Sequence, residues 1–210
     1  MQALLPGSGD QAPLGLKIVS VRTANAEKGL PTVPATILMF DAETGLPSAV
    51  VEATWLTALR TAAGSAAATK LLAAADAQVL VVFGAGLQGE AHALTMLAAR
   101  PALRKVVVLN RGLERAQVLC ATLKKDVAAF SGVEVVAAAL ADGAAVEAAV
   151  READIICTTT NSSAPLFDGV WMRAGCHINA IGSYTPEMQE IDESSVCRCR
   201  VGTQLSLLQL

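Results

Sequence analysis

The feature that most constrains this chain of 210 residues is an apolar run that ends in three closely spaced glycines. Residues 78–83 form the run, with Val, Leu and Phe on both faces of a predicted strand, and residues 90–99 have a helical pattern. A strand followed by G-x-G-x-x-G and a helix is the context that a dinucleotide-binding loop requires. A glycine-rich structural turn is the alternative. The sequence therefore predicts a cofactor site made by Gly84, Ala85, Gly86, Leu87, Gln88 and Gly89.

Each glycine of this loop has its own expected role. Gly84 permits a tight turn, Gly86 leaves room for a pyrophosphate, and Gly89 lets the helix pack close to the strand. The N-terminus of the helix then offers free N–H groups and a partial positive charge to the phosphates.

Strands and helices alternate regularly from residue 77 onward. The predicted strands are 78–83, 105–109, 133–138, 154–159 and 176–181, and the helices between them are 90–99, 113–125 and 143–151. Strands that alternate with helices at this spacing form βαβ units with right-handed connections. The predicted fold class is α/β, a Rossmann-type doubly wound parallel sheet.

The part of the chain before residue 77 has a different pattern. It contains predicted strands at 14–21, 35–40 and 48–51, and the last two form an antiparallel hairpin. A long helix, residues 55–74, follows with Thr54 as its N-cap. No strand is predicted before residue 14.

Charge and composition exclude several classes of partner. The net charge is −3 and aromatic residues make up 3% of the chain, without a basic patch, so we expect no nucleic acid partner. No stretch approaches the roughly 18–20 apolar residues of a membrane helix, and the N-terminus lacks the features of a signal peptide. We expect a cytoplasmic protein whose five cysteines are reduced, with no metal site.

The end of the second strand of the predicted sheet bears on which cofactor is bound. An acidic residue there would bind the ribose 2′-hydroxyl and favour NAD, but this chain has Asn110-Arg111. Arg111 can contact a 2′-phosphate and Asn110 can hydrogen-bond the ribose, which favours NADP(H). Glu114 lies one helical turn further on and keeps NADH possible, and a polar pair without a ligand role is the other alternative.

Two further loops follow predicted strands at their carboxyl ends, where open α/β sheets bind ligands. We expect them to border the nicotinamide, although ordinary strand-to-loop chemistry is the alternative. Their residues are Thr158, Thr159 and Thr160 in one loop and Ala180, Ile181 and Gly182 in the other. The two histidines, His92 and His177, have no carboxylate nearby in sequence and are not predicted to act as acid or base.

Two cations stand out in the first part of the chain. Lys17 lies in a strand whose apolar residues suggest burial on both faces, and a buried ammonium needs a partner. It either reaches the edge of the strand or awaits an anionic ligand. Arg60 lies on a helix face of small residues, where it is either a surface charge or a planar fork for a carboxylate or phosphate.

Five stretches together resemble the ornithine cyclodeaminase/mu-crystallin family, in order and spacing as well as in sequence, over about residues 14–191. The stretches are Leu16–Val19, Thr57–Ala63, Gly84–Gln88, Leu109–Arg111 and His177–Gly182. The segment Leu-Arg-Thr-Ala-Ala ahead of a glycine fingerprint is specific, and His-Ile-Asn-Ala-Ile-Gly supports it.

The resemblance implies an NAD(P)-binding Rossmann domain joined to a split substrate and dimerisation domain, and a homodimer. We accordingly expect a partial substrate and dimerisation domain at 1–53, a connecting helix at 54–74, the Rossmann domain at 75–192 and an atypical tail at 193–210. Chains of the family run on beyond this point, so we expect truncation at both ends.

The resemblance also implies a reaction, the NADPH-dependent reduction of a cyclic ketimine that carries a carboxylate. Lys17 and Arg60 would be the catalytic cations of the substrate site. One alternative is an ornithine cyclodeaminase or alanine dehydrogenase activity with NAD. Another is a truncated, non-catalytic protein that binds NADP or a small ligand such as thyroid hormone.

Overall fold

The computed structural model describes residues 2–4, 14–126 and 132–201, with side chains for residues 14–125 and 132–201. The chain divides into two compact units, Met1–Ala58 and Leu59–Leu210. Within the described ranges, no helix is both long enough and apolar enough to cross a membrane.

The first unit contains a four-stranded antiparallel sheet in the order β1-β2-β3-β4. Its strands are β1 (Gln2–Leu4), β2 (Leu14–Val19), β3 (Ala35–Phe40) and β4 (Pro47–Glu52). The predicted hairpin is confirmed, with Ile37 opposite Val51. The sequence did not predict β1, because three residues are too few for an alternating pattern to show.

The prediction that β2 is buried on both faces is wrong. Lys17 is buried at 8% exposure, whereas Leu14 and Ile18 on the opposite face are 40% and 53% exposed. Antiparallel sheets commonly cover one face only, and here Ala35, Ile37 and Ala53 form the small core. The other face of the sheet carries exposed apolar side chains.

Helix α1 (Thr54–Leu72) follows β4. Thr54 is itself the first helical residue. Its Oγ1 accepts a hydrogen bond from the Ala35 N–H of β3 at 3.2 Å. The hydroxyl therefore binds a strand instead of capping the helix as predicted. The other end of α1 is capped by a distant arginine. The Arg100 guanidinium donates to the carbonyl oxygens of Thr69, Lys70 and Ala73 around the end of the helix. The Thr69 carbonyl oxygen also accepts the Ala73 N–H at 3.0 Å.

The second unit contains a five-stranded parallel sheet in the order β7-β6-β5-β8-β9, which confirms the predicted doubly wound fold. Its strands are β5 (Val79–Phe83), β6 (Lys105–Asn110), β7 (Glu134–Ala139), β8 (Ile155–Thr158) and β9 (His177–Ala180). The helices between them are α2 (Leu87–Ala99), α3 (Leu113–Asp126) and α4 (Gly143–Glu152). The chain order reverses between β5 and β8, and this switch point is where such sheets bind ligands.

The central strand β5 is covered on both faces. Leu80 and Val82 pack in one cluster with α2 and α3, whereas Val81 and Phe83 pack in another with α4. All four side chains are completely buried. Burial on both faces explains why β5 has no alternating pattern in the sequence.

A short helix, α5 (Glu193–Arg198), lies in the segment predicted to be an atypical tail. The Asp192 carboxylate accepts the Ser195 N–H at 2.8 Å and so caps the helix. Residues 202–210 of that predicted tail lie outside the described residues.

The glycine loop has the conformation that the sequence predicts. Gly84 has φ +107°, a region that residues with a side chain rarely adopt. A Cβ on Gly89 would overlap the Gly84 carbonyl oxygen, whereas a Cβ on Gly86 would meet no atom within 4 Å. The third glycine therefore allows the close approach of α2, and the second faces open space.

Replacement of Gly89 by Ala is expected to destabilise the protein by about 1–3 kcal/mol, because the added methyl group forces the helix away from the turn. The measurement is the free energy of unfolding in urea. Gly86→Ala, in the same loop, is the control and should change that free energy by less than about 0.5 kcal/mol. Equal effects of the two substitutions would contradict the close-packing role of Gly89.

Candidate functional site

Because all five strands of the second sheet are parallel, their carboxyl ends lie along one edge. This edge carries the glycine loop after β5, the Asn110-Arg111 pair at the end of β6, and the loops after β8 and β9. Thr159 joins two of these loops, since its N–H and its hydroxyl both donate to the Phe83 carbonyl oxygen at 2.8 Å. The structure thus places the predicted cofactor residues of the second unit on a single edge.

The glycine loop fits a pyrophosphate. Helix α2 begins at Leu87, and Gly86 precedes it without any side-chain cap, so the first N–H groups of the helix are not satisfied by a capping side chain. The N-terminus of α2 therefore offers both donors and a partial positive charge. Beside it, the buried Oε1 of Gln88 has no hydrogen-bond partner among the described residues, and a ligand hydroxyl would satisfy it.

Asn110 has a role that the sequence did not predict. Its Oδ1 accepts the Ala85 N–H at 3.2 Å, and its Nδ2 donates to the Gly112 carbonyl oxygen at 2.9 Å. The side chain therefore braces the glycine loop against the turn into α3, and its predicted contact with a ribose stays a prediction. Arg111, the next residue, is exposed and presents a guanidinium to solvent at the end of β6.

The most highly connected polar group at this edge is the carboxylate of Glu190. Glu190 is completely buried, and its Oε1 accepts the N–H and the hydroxyl of Thr160 at 2.6 and 2.7 Å. Its Oε2 accepts the Thr158 hydroxyl at 2.8 Å and the Gly182 N–H at 2.7 Å. One side chain thus ties together the two loops predicted to border the nicotinamide.

Gly182 is a second place where only glycine fits. A Cβ on this residue would overlap both the Thr160 carbonyl oxygen and the Glu190 carboxylate. The loops after β8 and β9 are therefore in backbone contact, which accounts for the glycine of the Ala-Ile-Gly segment.

The sequence alone does not reveal the role of Glu190. Its partners are 8 to 32 residues away along the chain, and nearby Glu187 is an exposed residue of the same type. In a single sequence, no local feature distinguishes a glutamate that is fully buried from one that is exposed.

Both histidines are held as structural groups. Nδ1 of His92 lies 2.8 Å from the Gln88 carbonyl oxygen and Nε2 lies 3.0 Å from the Ser65 hydroxyl, so Nδ1 donates and Nε2 accepts. Burial lowers the pKa of His92, and burial likewise lowers the pKa of His177, whose Nε2 lies 3.2 Å from Asn179 Oδ1. Both imidazoles are neutral and hydrogen-bonded within the protein, so their role is structural rather than proton transfer.

The two predicted substrate cations belong to different compact units. Lys17 is buried in β2 of the first unit, opposite Ile37. Arg60 belongs to the second unit and is exposed on α1, on the same face as Ala63 and Ala67, which are exposed too. An exposed small-residue face leaves room for a ligand beside the guanidinium. The joint action of the two cations stays a prediction.

A groove of about 1070 Å³ lies within the second unit, beside the edge strand β9. Its walls include Gly64 and Ala68 of α1, Ile178 of β9 and Val196 of α5. Residues 84–89 do not line it, so it is separate from the pyrophosphate cradle, although it reaches the predicted nicotinamide loop at Ala180 and Ile181.

Comparison with known proteins places these features in a family. Residues 3–205 match the Ornithine cyclodeaminase/mu-crystallin family. An uncharacterized cyclodeaminase of Dictyostelium discoideum is 37% identical over 87% of this chain and 54% of its own length. Ketimine reductase mu-crystallin of Mus musculus is 33% identical over 89% of this chain and 55% of its own length. The chain therefore spans about half the length of the curated relatives it matches.

Solved structures agree with the sequence comparison. The Δ1-pyrroline-2-carboxylate reductase of Thermococcus litoralis, solved in complex with NADH and L-proline, superposes with a TM-score of 0.78 at 32% identity. The superposition covers 88% of this chain and 54% of that one.

The neutral histidines predict how stability depends on pH. The pKa of each histidine in the folded protein lies below the ordinary value of 6.5. The unfolded chain therefore binds more protons than the folded one just below pH 6.5. As a result, the free energy of unfolding should fall as the pH drops from 7 to 5. His92→Gln should flatten this dependence. Urea unfolding at several pH values provides the measurement, and an identical slope for His92→Gln and the wild type would contradict the assignment.

Proposed function

Because the chain belongs to the ornithine cyclodeaminase/mu-crystallin family, we propose that it binds a nicotinamide dinucleotide and reduces the C=N bond of a small cyclic imino acid. The observation that carries the proposal is the cradle formed by the open Gly86 and the uncapped start of α2. The relatives named as ketimine and pyrroline-2-carboxylate reductases support the choice of reaction. The chain matches about half of each of them, so the activity of these whole proteins is a proposal for this chain.

The cofactor would be held along the carboxyl edge of the parallel sheet. Residues 84–89 would bind the pyrophosphate through backbone N–H groups and the helix N-terminus. Because the ligand crosses the sheet at its switch point, the adenosine half would lie toward β6 and the nicotinamide half toward β8 and β9. The loops at Thr158–Thr160 and Ala180–Gly182 would then border the nicotinamide.

We further propose NADPH as the preferred cofactor. The exposed guanidinium of Arg111 at the end of β6 can form charge-assisted hydrogen bonds with a 2′-phosphate. The acidic side chain that would favour the unphosphorylated ribose is missing from positions 110 and 111. NADH is the second candidate, since Glu114 lies in the first turn of α3 and the Thermococcus litoralis relative was solved with NADH.

The substrate is proposed to be a cyclic imine that carries a carboxylate. Arg60 would bind that carboxylate through a bidentate pair of hydrogen bonds. Lys17, as an ammonium, would hold the same group or donate a proton to the imine nitrogen, a contribution of about 10²–10⁴-fold for a well-placed acid. When bound, the reduced nicotinamide supplies the hydride for the imine carbon. The product is the corresponding cyclic amino acid.

Other activities of the family remain candidates. A cyclodeaminase activity with NAD is favoured by the name of the Dictyostelium discoideum relative. A non-catalytic role in binding NADP or a small ligand would use the same cradle without turnover. We also propose a homodimer, because Leu14, Ile18 and Val50 leave an exposed apolar sheet face. A monomeric mass by light scattering would contradict the dimer. The cytoplasmic location stays a proposal from the sequence.

Turnover of a cyclic ketimine tests the reaction directly. With NADPH and Δ1-pyrroline-2-carboxylate, the absorbance of the reduced cofactor should fall, and proline should appear in equal amount.

Arg60→Ala should raise KM for the imine by about tenfold or more, since a charge-assisted pair is lost. Lys70→Ala, another exposed cation of α1, is the matched control. Cofactor binding without oxidation by any imine would favour the non-catalytic alternative, and NAD-dependent ornithine turnover would favour the cyclodeaminase.

Arg111→Asp should shift the preference from NADPH toward NADH. The substitution replaces a cation that attracts the 2′-phosphate by a carboxylate that repels it, so the ratio of the two dissociation constants should change by about tenfold or more. Titration of cofactor fluorescence gives both constants. Arg115→Asp, which makes the same charge change on α3, should leave the ratio unaltered. An unchanged ratio in Arg111→Asp would reject the phosphate role.

A further inference from the structure

The two halves of the proposed cofactor site are held by different means. On the β6 side, backbone geometry and the Asn110 brace fix the glycine loop. On the β8 and β9 side, two separate loops have to be kept at a fixed distance from each other. The bonds of the Glu190 carboxylate are the side-chain link between them.

The chemistry of this link is specific to a carboxylate. All four partners of Glu190 are donors: the hydroxyls of Thr158 and Thr160, and the backbone N–H groups of Thr160 and Gly182. An ionised carboxylate is an acceptor only and has about four lone-pair positions, so the four donors saturate it. Each oxygen accepts one hydroxyl and one backbone N–H.

An amide in the same place cannot make these bonds. Whichever way the amide introduced by Glu190→Gln were turned, its NH₂ group would meet one backbone N–H, of Thr160 or of Gly182. A hydroxyl can rotate to accept a hydrogen bond instead, but a backbone N–H cannot. Either orientation would therefore break the backbone hydrogen bond of one loop and leave a buried N–H donor unpaired, which is costly.

We propose that Glu190 is a positioning residue, whose buried carboxylate holds the loops after β8 and β9 at the separation that receives the nicotinamide half of the cofactor. This inference rests on the proposed function, since it assumes that a nicotinamide dinucleotide binds at this edge. Glu190 acts through Thr158, Thr160 and Gly182. It is not proposed to touch the substrate.

The test compares a whole cofactor with a fragment that lacks nicotinamide. Calorimetric titrations of the full chain with NADPH and with 2′-phospho-ADP-ribose give two dissociation constants for each variant. Glu190→Gln should weaken NADPH binding by about tenfold while the fragment binds as it does to the wild type. The matched control is Glu187→Gln, an exposed glutamate three residues earlier, which should change neither constant.

The outcomes separate the inference from the proposed function. If the wild type binds neither ligand, the proposed function fails and the inference with it. Two other outcomes assume that the wild type binds both ligands, and in each of them the inference alone fails. In the first, Glu190→Gln binds NADPH as tightly as the wild type does. In the second, Glu190→Gln loses affinity for both ligands equally while its thermal unfolding is unchanged.

A second variant covers the case in which Glu190→Gln does not fold. Thr158→Val removes one of the four donors and keeps the carboxylate. It should weaken NADPH binding by a smaller factor, about threefold, and again spare the fragment. Equal affinity of Thr158→Val and the wild type for NADPH would overturn the inference in that case.

Discussion

The carboxyl edge of the parallel sheet depends on how closely the backbone of α2 approaches the turn after β5. At Gly89 the approach leaves no space for a Cβ, because the Gly84 carbonyl oxygen occupies it. This contact sets the direction in which α2 leaves the turn and hence the direction of its unsatisfied N–H groups. The Thr159 hydroxyl lies against the same two glycines, so the loop after β8 is placed by the same contact.

Gly182 repeats this arrangement on the other side of the sheet. There too a Cβ would overlap a carbonyl oxygen, that of Thr160. The Glu190 carboxylate accepts hydrogen bonds from the loops after β8 and β9 at this place. The site is thus built on two places of backbone contact, each of which requires a glycine. The polar side chains around them hold loops whose approach the glycines permit.

The sequence predicted the parts of this protein that depend on local pattern. The alternation of apolar strands and helices from residue 77 onward, and the glycine fingerprint, are properties of short stretches. The burial of β2 on both faces was predicted wrongly, because apolar residues in a strand do not show whether a second layer covers them. Leu14 and Ile18 are apolar but exposed.

Contacts between distant residues were beyond prediction. Glu190 bonds to Thr158, and Asn110 to Ala85, over separations of 32 and 25 residues, and a single sequence does not reveal such pairs. The position of Asn110 at a strand end predicts a ligand for the ribose, and that contact stays a prediction. The structure shows that the carboxamide also has a partner within the loop.

The division of tasks between Asn110 and Arg111 has a consequence for how this protein can change over evolutionary time. Asn110 holds the glycine loop, whereas the exposed Arg111 does not take part in that brace. A substitution at position 111 therefore alters the charge at the end of β6 without removing a hydrogen bond of the Asn110 brace. Under the role proposed for Arg111, a lineage could exchange one cofactor for the other by a single substitution that leaves the Asn110 brace intact.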